Sequence, residues 1–490
     1  MVQRQGMGID PRGHAVNSEA GNWFGQPRGL TILFLTEMWE QFSYYGMRAL
    51  LVYYMTKQLL IGQQQSSLIY GTYTSMAFFT PIIGGIISDR WLGKRRAVII
   101  GGSTMALGHF MMTFEPLFYP ALATIALGNG LFLPSLPSQI NDLYRPDDPR
   151  RGWAYNVYYV GINVGGFLAP LVCGFLGETY GWHWGFGAAG VGMLLGLVVY
   201  VAGGKYLPEQ GRLLPGFPAQ GPHPILPPQA GEGEQARPAA ASSFELERGE
   251  GGQARPAAAS KHDLKRTGLL LLGVGVAVTI FRGAYEQVGN TVALFADAGI
   301  NRATALMTIP MTWFQALNPL FVILMTPALL AWWSRRAAAG RDASSMQKMA
   351  TGALIVAASY LLLALAASVA GGGQASWLWL LAYFVIFTLG ELFILPTGLG
   401  LFARLAPPSL GATTVAAWFL AIFTGSMTAG IVGTLWSRMS HPVYFVLLAI
   451  IASAAAGLLL ALDRTTRRIE GERAAEIAAA GLIVSGQAAG

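Results

Sequence analysis

Charge is what this sequence has least of. Asp, Glu, Lys and Arg make up 12% of its 490 residues, while hydrophobic residues make up 53%. A soluble chain of this length needs about 25% charged residues to cover its surface. That deficit excludes a soluble globular protein. Cysteine is almost missing as well: Cys173 stands alone, which excludes internal disulfides and any cysteine-based metal site. The six histidines, at 14, 109, 183, 223, 262 and 441, show no HExxH or other ligand spacing. His109, alone in an apolar stretch, reads as packing. No nucleophile, histidine and acid converge in sequence, which counts against an integral-membrane enzyme. The first 29 residues are polar and Gly-rich with no apolar core, so no cleaved leader is expected.

What is there is a recurrence of apolar runs, each long enough to cross a bilayer of ~30 Å. Twelve spans are predicted, near 30–56, 66–88, 96–114, 118–138, 153–176, 184–206, 266–294, 309–333, 349–370, 376–396, 412–436 and 441–462. The chain carries a formal charge of +7, and its distribution decides what that means. Of 32 Lys and Arg, 27 fall in the segments of one side. Three (Lys57, Arg302 and Arg438) fall on the other, and Arg48 and Arg282 lie within spans. This is the positive-inside bias, so the basicity orients the chain and implies no nucleic-acid partner. Both termini are expected in the cytoplasm, in a multi-pass protein of a bacterial inner (plasma) membrane.

Residues 208–265 interrupt the pattern. They are rich in Pro, Gly, Ala and Gln and contain "QARPAAAS" twice, at 235–242 and 253–260. Such composition cannot bury a core and reads as a flexible cytoplasmic linker. The expected organisation is a cytoplasmic N-tail (1–29), a six-helix bundle (30–207), the linker (208–265), a second six-helix bundle (266–463) and a cytoplasmic C-tail (464–490). Carriers of this build place their substrate site between the halves near mid-membrane.

Against this apolar background the intramembrane charges stand out. In "EMWEQFSYYGMR", residues 37–48, Glu37, Glu40, Tyr44 and Arg48 fall within roughly 80° of one another at about 100° per residue, while Trp39 points nearly opposite. One polar stripe three turns long therefore faces the bundle interior. Glu286 and Glu391 lie in spans 7 and 10, so four acids face two bases, Arg48 and Arg282. At least two acids then lack a cation of their own. Burial favours the neutral form of a carboxyl, and an acid that changes protonation with access and partner suits a proton-coupled carrier. Buried structural ion pairs are the alternative, but intramembrane ionisable residues more often line a substrate or proton path.

Two loops and several spans carry family likenesses. "GGIISDRWLGKRR", residues 84–96, resembles the major facilitator signature on the short loop after span 2, with Gly84 and Gly85 allowing close helix contact and Asp89 placed to face a helix N-terminus. "EMWEQFSYYGMRALL" resembles the Glu-x-x-Glu-Arg-Phe-x-Tyr-Tyr-Gly motif of proton-dependent oligopeptide transporters. "YNVYYVGINVGGF", "GWHWGFGAAG", "YEQVGN", "ALNPLF", "GELFILPTGL" and "AAWFL" follow in family order. The resemblance implies an all-α membrane protein of the major facilitator fold, with twelve transmembrane helices in two six-helix bundles. The linker has no span-length apolar run, so the extra helix pair of many bacterial relatives is not expected.

Residue by residue, the resemblance implies that Glu37 and Glu40 serve proton coupling. Arg48 pairs across the bundles with Glu286, and Glu391 receives a peptide's amino terminus. Tyr44, Tyr45, Tyr73, Asn163 and Asn318 hold the peptide by hydrogen bonds, Trp418 lies near a side-chain pocket, and Asp89 and Arg90 serve the gate. For Tyr44 and Trp418, helix packing is an equal alternative. Two departures matter. Gln41 stands where the family has arginine, and Leu133, in "GNGLFLPS", where it has lysine. Ser135 also replaces an asparagine. Both missing bases are cations, so carboxylate recognition and coupling need another route, and Gln41 and Arg282 join the candidate substrate residues. Arg282 sits one turn before Glu286 and either pairs with it at i,i+4, the favoured reading, or offers its charge to a substrate carboxylate. The implied function is a monomeric proton-coupled symporter of di- and tripeptides working by alternating access. It needs no cofactor beyond the coupling proton. A family member moving nitrate, an amino acid or a drug-like compound is the alternative, and a passive channel is disfavoured by the two-bundle build.

Overall fold

The computed structural model describes residues 22–23, 25–144, 148, 150–208, 261–341, 343–405 and 411–487. Most of the linker, both copies of the duplicated octet and the place where an extra helix pair would fall lie outside the described residues. Within them the chain is helical. In the first half, α1 (Arg28–Tyr53) is followed by α2 (Gln63–Ile87), α3 (Lys94–Met111), α4 (Phe118–Asp142), α5 (Arg150–Ala169), α6 (Phe175–Tyr180) and α7 (Trp182–Ala202). The second half contains α8 (Lys261–Tyr285), α9 (Thr291–Ala298), α10 (Trp313–Ala338), α11 (Ser345–Val369), α12 (Leu378–Leu405), α13 (Gly411–Gly433) and α14 (His441–Gln487). A π-helical turn at Pro170–Gly174 joins α5 to α6, and a 3₁₀ turn at Glu286–Gly289 joins α8 to α9. The fourteen helices therefore make twelve rods.

Nine of the described stretches are long and apolar enough to cross a membrane on their own. Plain hydropathy misses α1, α2 and α3, and for different reasons. α1 carries Glu37, Glu40 and Arg48, α2 opens on three glutamines, and α3 opens on Lys94, Arg95 and Arg96. Leu107, Leu127, Val198, Leu272 and Ile450 are exposed on the rods, an apolar surface that only lipid satisfies. The protein is multi-pass with the major facilitator fold. The only strands among the described residues are two-residue pairs, one joining Asn22–Trp23 to Gln26–Pro27 and one joining Ile300–Asn301 to Ala375–Ser376 across two loops. One expectation changes at the C-terminus: α14 runs on to Gln487, so the basic tail continues the last rod.

Each half packs mainly on itself. α1 lies against α5 and α7, and α3 against α4. In the second half α11 lies against α12 and α14, and α8 against α13 and α14. Two seams join the halves, α2 along α13 and α5 along α10. Helices approach closely where side chains vanish. A Cβ on Gly84 would collide with the Gly130 carbonyl of α4, whereas one on Gly85 would meet Pro134 Cβ at an ordinary 3.6 Å. Gly84→Ala should therefore cost about 1–3 kcal/mol or more by overpacking, and Gly85→Ala almost nothing. Thermal unfolding of the two variants side by side checks this. At the α2–α13 seam, a Cβ on Gly71 would lie 2.5 Å from Gly430 Cα, so the two backbones touch with no side chain between them.

The bonds between halves are one-sided. Among the described residues, every hydrogen bond joining them involves α1 from Arg48 onward, the turn after it at Tyr54–Gln58, α2 up to Thr72, or the stretch from Pro170 to Glu178. All lie towards the end whose loops are poor in Lys and Arg. Tyr53 donates to the Ala293 carbonyl (2.7 Å), Ser67 to Asn290 (3.0 Å), and Lys57 pairs with Asp297 (2.7 Å). Glu178 of α6 accepts the backbone N–H groups of Met311 and Thr312, each at 2.9 Å, and the Thr312 hydroxyl at 2.6 Å. A carboxylate from one half thus caps α10 of the other. Beyond those bonds the halves also meet through apolar packing, with Tyr159 of α5 against the cluster of Val322, Leu329, Leu392 and Phe393.

Candidate functional site

The polar stripe of α1 is buried as its spacing predicts. Glu37 and Glu40 are each 1% exposed, whereas Trp39 turns to the far side and packs on Phe42 and against Gly196 of α7. Gln41 Nε2 donates to Glu37 Oε1 at 3.1 Å, so the neutral amide serves the acid pair, one turn along the same helix. Glu37 Oε2 and Glu40 Oε2 are buried without a hydrogen-bond partner, and the Tyr158 hydroxyl lies beside Glu37 without reaching bonding geometry. No cation among the described residues pairs with either acid. Unpartnered carboxylate oxygens at this burial are costly in the charged form.

Further along α1, Arg48 reaches across to the second half. Its Nη2 lies 2.5 Å from Glu286 Oε2, and its Nε donates to the Tyr70 hydroxyl at 2.7 Å. The guanidinium also sits over the rings of Tyr45 and Tyr70. Arg282 forms the expected i,i+4 pair with Glu286, through Nη2 to Oε1, and the same nitrogen lies 3.4 Å from Ser426 Oγ. The charge bookkeeping therefore differs from a simple division of two bases among four acids. Both bases share one acid, and among the described residues three acids, Glu37, Glu40 and Glu391, have no cation bonded to them.

Glu391 is held by neutral donors alone. Tyr285 OH donates to Oε1 and Asn318 Nδ2 to Oε2, both at 2.6 Å, and Asn318 also reaches Thr388 Oγ1 at 3.1 Å. Three helices, α8, α10 and α12, thus present this carboxylate to the space between the halves. Asn318 lies there as the sequence reading expects. Tyr285 was not among its candidates, nor were Tyr70 and Tyr158. Their signal was present in "SLIYGTYTS", "YNVYYVG" and "FRGAYEQ", since a tyrosine beside an intramembrane charge needs a partner for its hydroxyl.

The remaining candidates divide. Tyr44 and Tyr45 meet edge to face at 5.4 Å on α1, partly open to the space between the halves. Tyr73 is buried among the apolar residues of the first half. Asn163 is buried and turns its amide to its own Tyr159 carbonyl (2.9 Å), which satisfies the group locally. Trp418 is buried in the second-half core against Phe402 and Gly398, so packing explains it in this state. Asp89 and Arg90 are exposed in a π-helical turn and have no ion-pair partner among the described residues. α3 begins after Gly93, whose φ of +75° suits a glycine. Cys173 is buried against Gly46, and His109 is buried with neither ring nitrogen bonded.

Comparison with known proteins agrees over most of the chain. The sequence profile of the POT family matches residues 95–213 and 256–447. An uncharacterised transporter, YclF of Bacillus subtilis, is 32% identical over 91% of this chain and 95% of its own length. The peptide transporter YePEPT of Yersinia enterocolitica is 31% identical over 86% of this chain and 90% of its own. A crystal structure of a peptide transporter POT in complex with sulfate superposes with a TM-score of 0.78 at 30% identity, covering 92% of this chain and 97% of that one.

Proposed function

Because this chain belongs to the POT family of membrane transporters, we propose that it carries di- and tripeptides into the cell in symport with protons, by alternating access. The observation that carries the reading is Glu391, a buried carboxylate between the halves whose bonded partners, Tyr285 and Asn318, are both neutral. A peptide's ammonium group supplies the missing cation. Tyr44, Tyr45, Tyr73, Asn163 and Asn318 offer hydroxyl and amide groups for the peptide backbone, and Trp418 a wall for a side chain. The one-sided bonding between the halves supports taking the basic-poor end as closed and the basic-rich end as the one that opens to the cytoplasm.

In this mechanism, protons from the outer face neutralise Glu286 and the Glu37/Glu40 pair. Losing its anion, Arg48 releases the second half and the outer contacts part. Peptide then enters, the bundles rock, and the cytoplasmic side opens, where Asp89, Arg90 and the basic loop reset the gate. Each half carries its own part of the site, so a monomer suffices and no cofactor is needed.

The test is uptake of dialanine into proteoliposomes holding the purified protein, with and without an inward proton gradient. The expected result is accumulation above equilibrium that depends on the gradient. Uptake indifferent to the gradient overturns the symport. No dialanine uptake beside an active control transporter moves the substrate to another solute class.

A further inference from the structure

We propose that Arg282 is the carboxylate anchor of the substrate site, so that this transporter holds both ends of a peptide chiefly on its second half. The inference rests on the peptide reading above and assigns the pole that reading leaves open.

The charges frame it. Arg48 and Arg282 both bond Glu286, so that cluster carries one positive charge more than it neutralises. Glu391, when ionised, carries one negative charge whose bonded partners among the described residues are a phenol and an amide. The excess charges do not touch. Tyr285 stands between them: its hydroxyl bonds Glu391, and its ring lies 4.9 Å from the Arg282 guanidinium. A zwitterion is the ligand that satisfies both, its ammonium at Glu391 and its carboxylate at the arginine pole. A net-neutral substrate then fills a net-neutral site without leaving a buried charge unpaired.

Arg282 suits the carboxylate better than Arg48 does. Arg48 ties the halves together through Glu286 and spends Nε on Tyr70. Engaging it would compete with the contact that closes the outer gate. Arg282 makes all its hydrogen bonds among the described residues through Nη2, and its Nε is buried without a partner. The rest of its donor fork is uncommitted, and a guanidinium fork matches a carboxylate in two parallel bonds. Its place on α8, one residue row from Tyr285, fixes its distance from Glu391. The chain of contacts through Tyr285 puts the two poles no more than about 10 Å apart. At about 3.5 Å per residue, an extended dipeptide of about 7 Å fits within that gap and a tripeptide of about 10.5 Å just spans it. The same spacing sets an upper limit on peptide length, since both ends of a tetrapeptide overshoot.

The experiment compares L-alanyl-L-alanine with L-alanyl-L-alaninamide as competitors of radiolabelled dialanine uptake by the full-length protein. The expected wild-type ratio of inhibitory concentrations is tenfold or more in favour of the free acid. In Arg282→Gln the two competitors converge to within about twofold, in keeping with loss of a charge-assisted bond. A ratio unchanged in Arg282→Gln, or a wild type that does not distinguish acid from amide, overturns the assignment. Arg282→Lys covers the case in which glutamine unfolds the protein. It keeps a charge beside Glu286 but loses the fork, so the ratio falls severalfold, and an unchanged ratio counts against the proposal. Failure of the transport reading looks different: wild type then takes up no dialanine at all.

Discussion

Replacing Glu286 by glutamine abolishes gradient-driven accumulation and destabilises the protein by about 3–5 kcal/mol, the range for removing one partner of a buried ion pair. The size of the effect follows from the crowding at this acid. Glu286 is 2% exposed and receives both Arg48 and Arg282, so its loss strands two buried cations where most such substitutions strand one. The same reasoning predicts a partial rescue. Arg282→Gln added to Glu286→Gln removes one stranded charge, and the double variant should unfold at a higher temperature than Glu286→Gln alone. Accumulation does not return, because Arg48 still has no acid to release. Thermal unfolding and dialanine uptake of the three variants measure both parts. Undiminished accumulation in Glu286→Gln would remove this residue from the coupling.

Tying the basic-poor end shut should arrest transport completely. Lys57 of the first half and Asp297 of the second meet at 2.7 Å on the surface, partly exposed, at the rim of the contacts that join the halves. Cysteines at both positions, bridged by a bifunctional thiol reagent, fix the halves in the arrangement described here. The background is clean, since Cys173 is the one native cysteine and is buried. Uptake should fall to the level of empty vesicles after bridging and return when a reducible bridge is cut. Each single-cysteine variant, treated alike, should keep its activity, because an exposed pair of this kind contributes at most ~1 kcal/mol. Transport through the bridged protein would mean that this end does not part during the cycle.

How much of this was legible in the sequence depends on the range of the contact. The stripe of Glu37, Glu40, Tyr44 and Arg48 followed from helical spacing alone, and so did the pairing of Arg282 with Glu286 one turn on. Both are properties of a single rod. The bond from Arg48 to Glu286 joins residues 238 apart and came only from resemblance. Nothing local pointed to Tyr285 and Asn318 as the donors to Glu391, since each sits on a different helix and neither spacing nor hydropathy encodes which rods face one another. The carboxylate of Glu178 capping α10 was illegible for the same reason. The count of acids against bases gave no pairing by itself; that both bases meet Glu286 came from the resemblance for Arg48 and from the i,i+4 spacing for Arg282. That convergence leaves Glu391 with Tyr285 and Asn318 as its bonded partners among the described residues.

If the halves rock as proposed, the backbone contact between Gly71 and Gly430 would be an off-centre fulcrum. Eight residues of α2 lie between Gly71 and the helix start at Gln63, and sixteen between it and the end at Ile87. At 1.5 Å per residue the arms measure about 12 Å and about 24 Å. Any tilt of one half about that point moves the far tip of α2 roughly twice as far as the near one. A crack of a few ångströms at the short arm, enough to break the hydrogen bonds there, is geared into a swing of double that width at the long arm. The glycines make the pivot smooth, because no side chain has to unmesh and remesh as the lever turns.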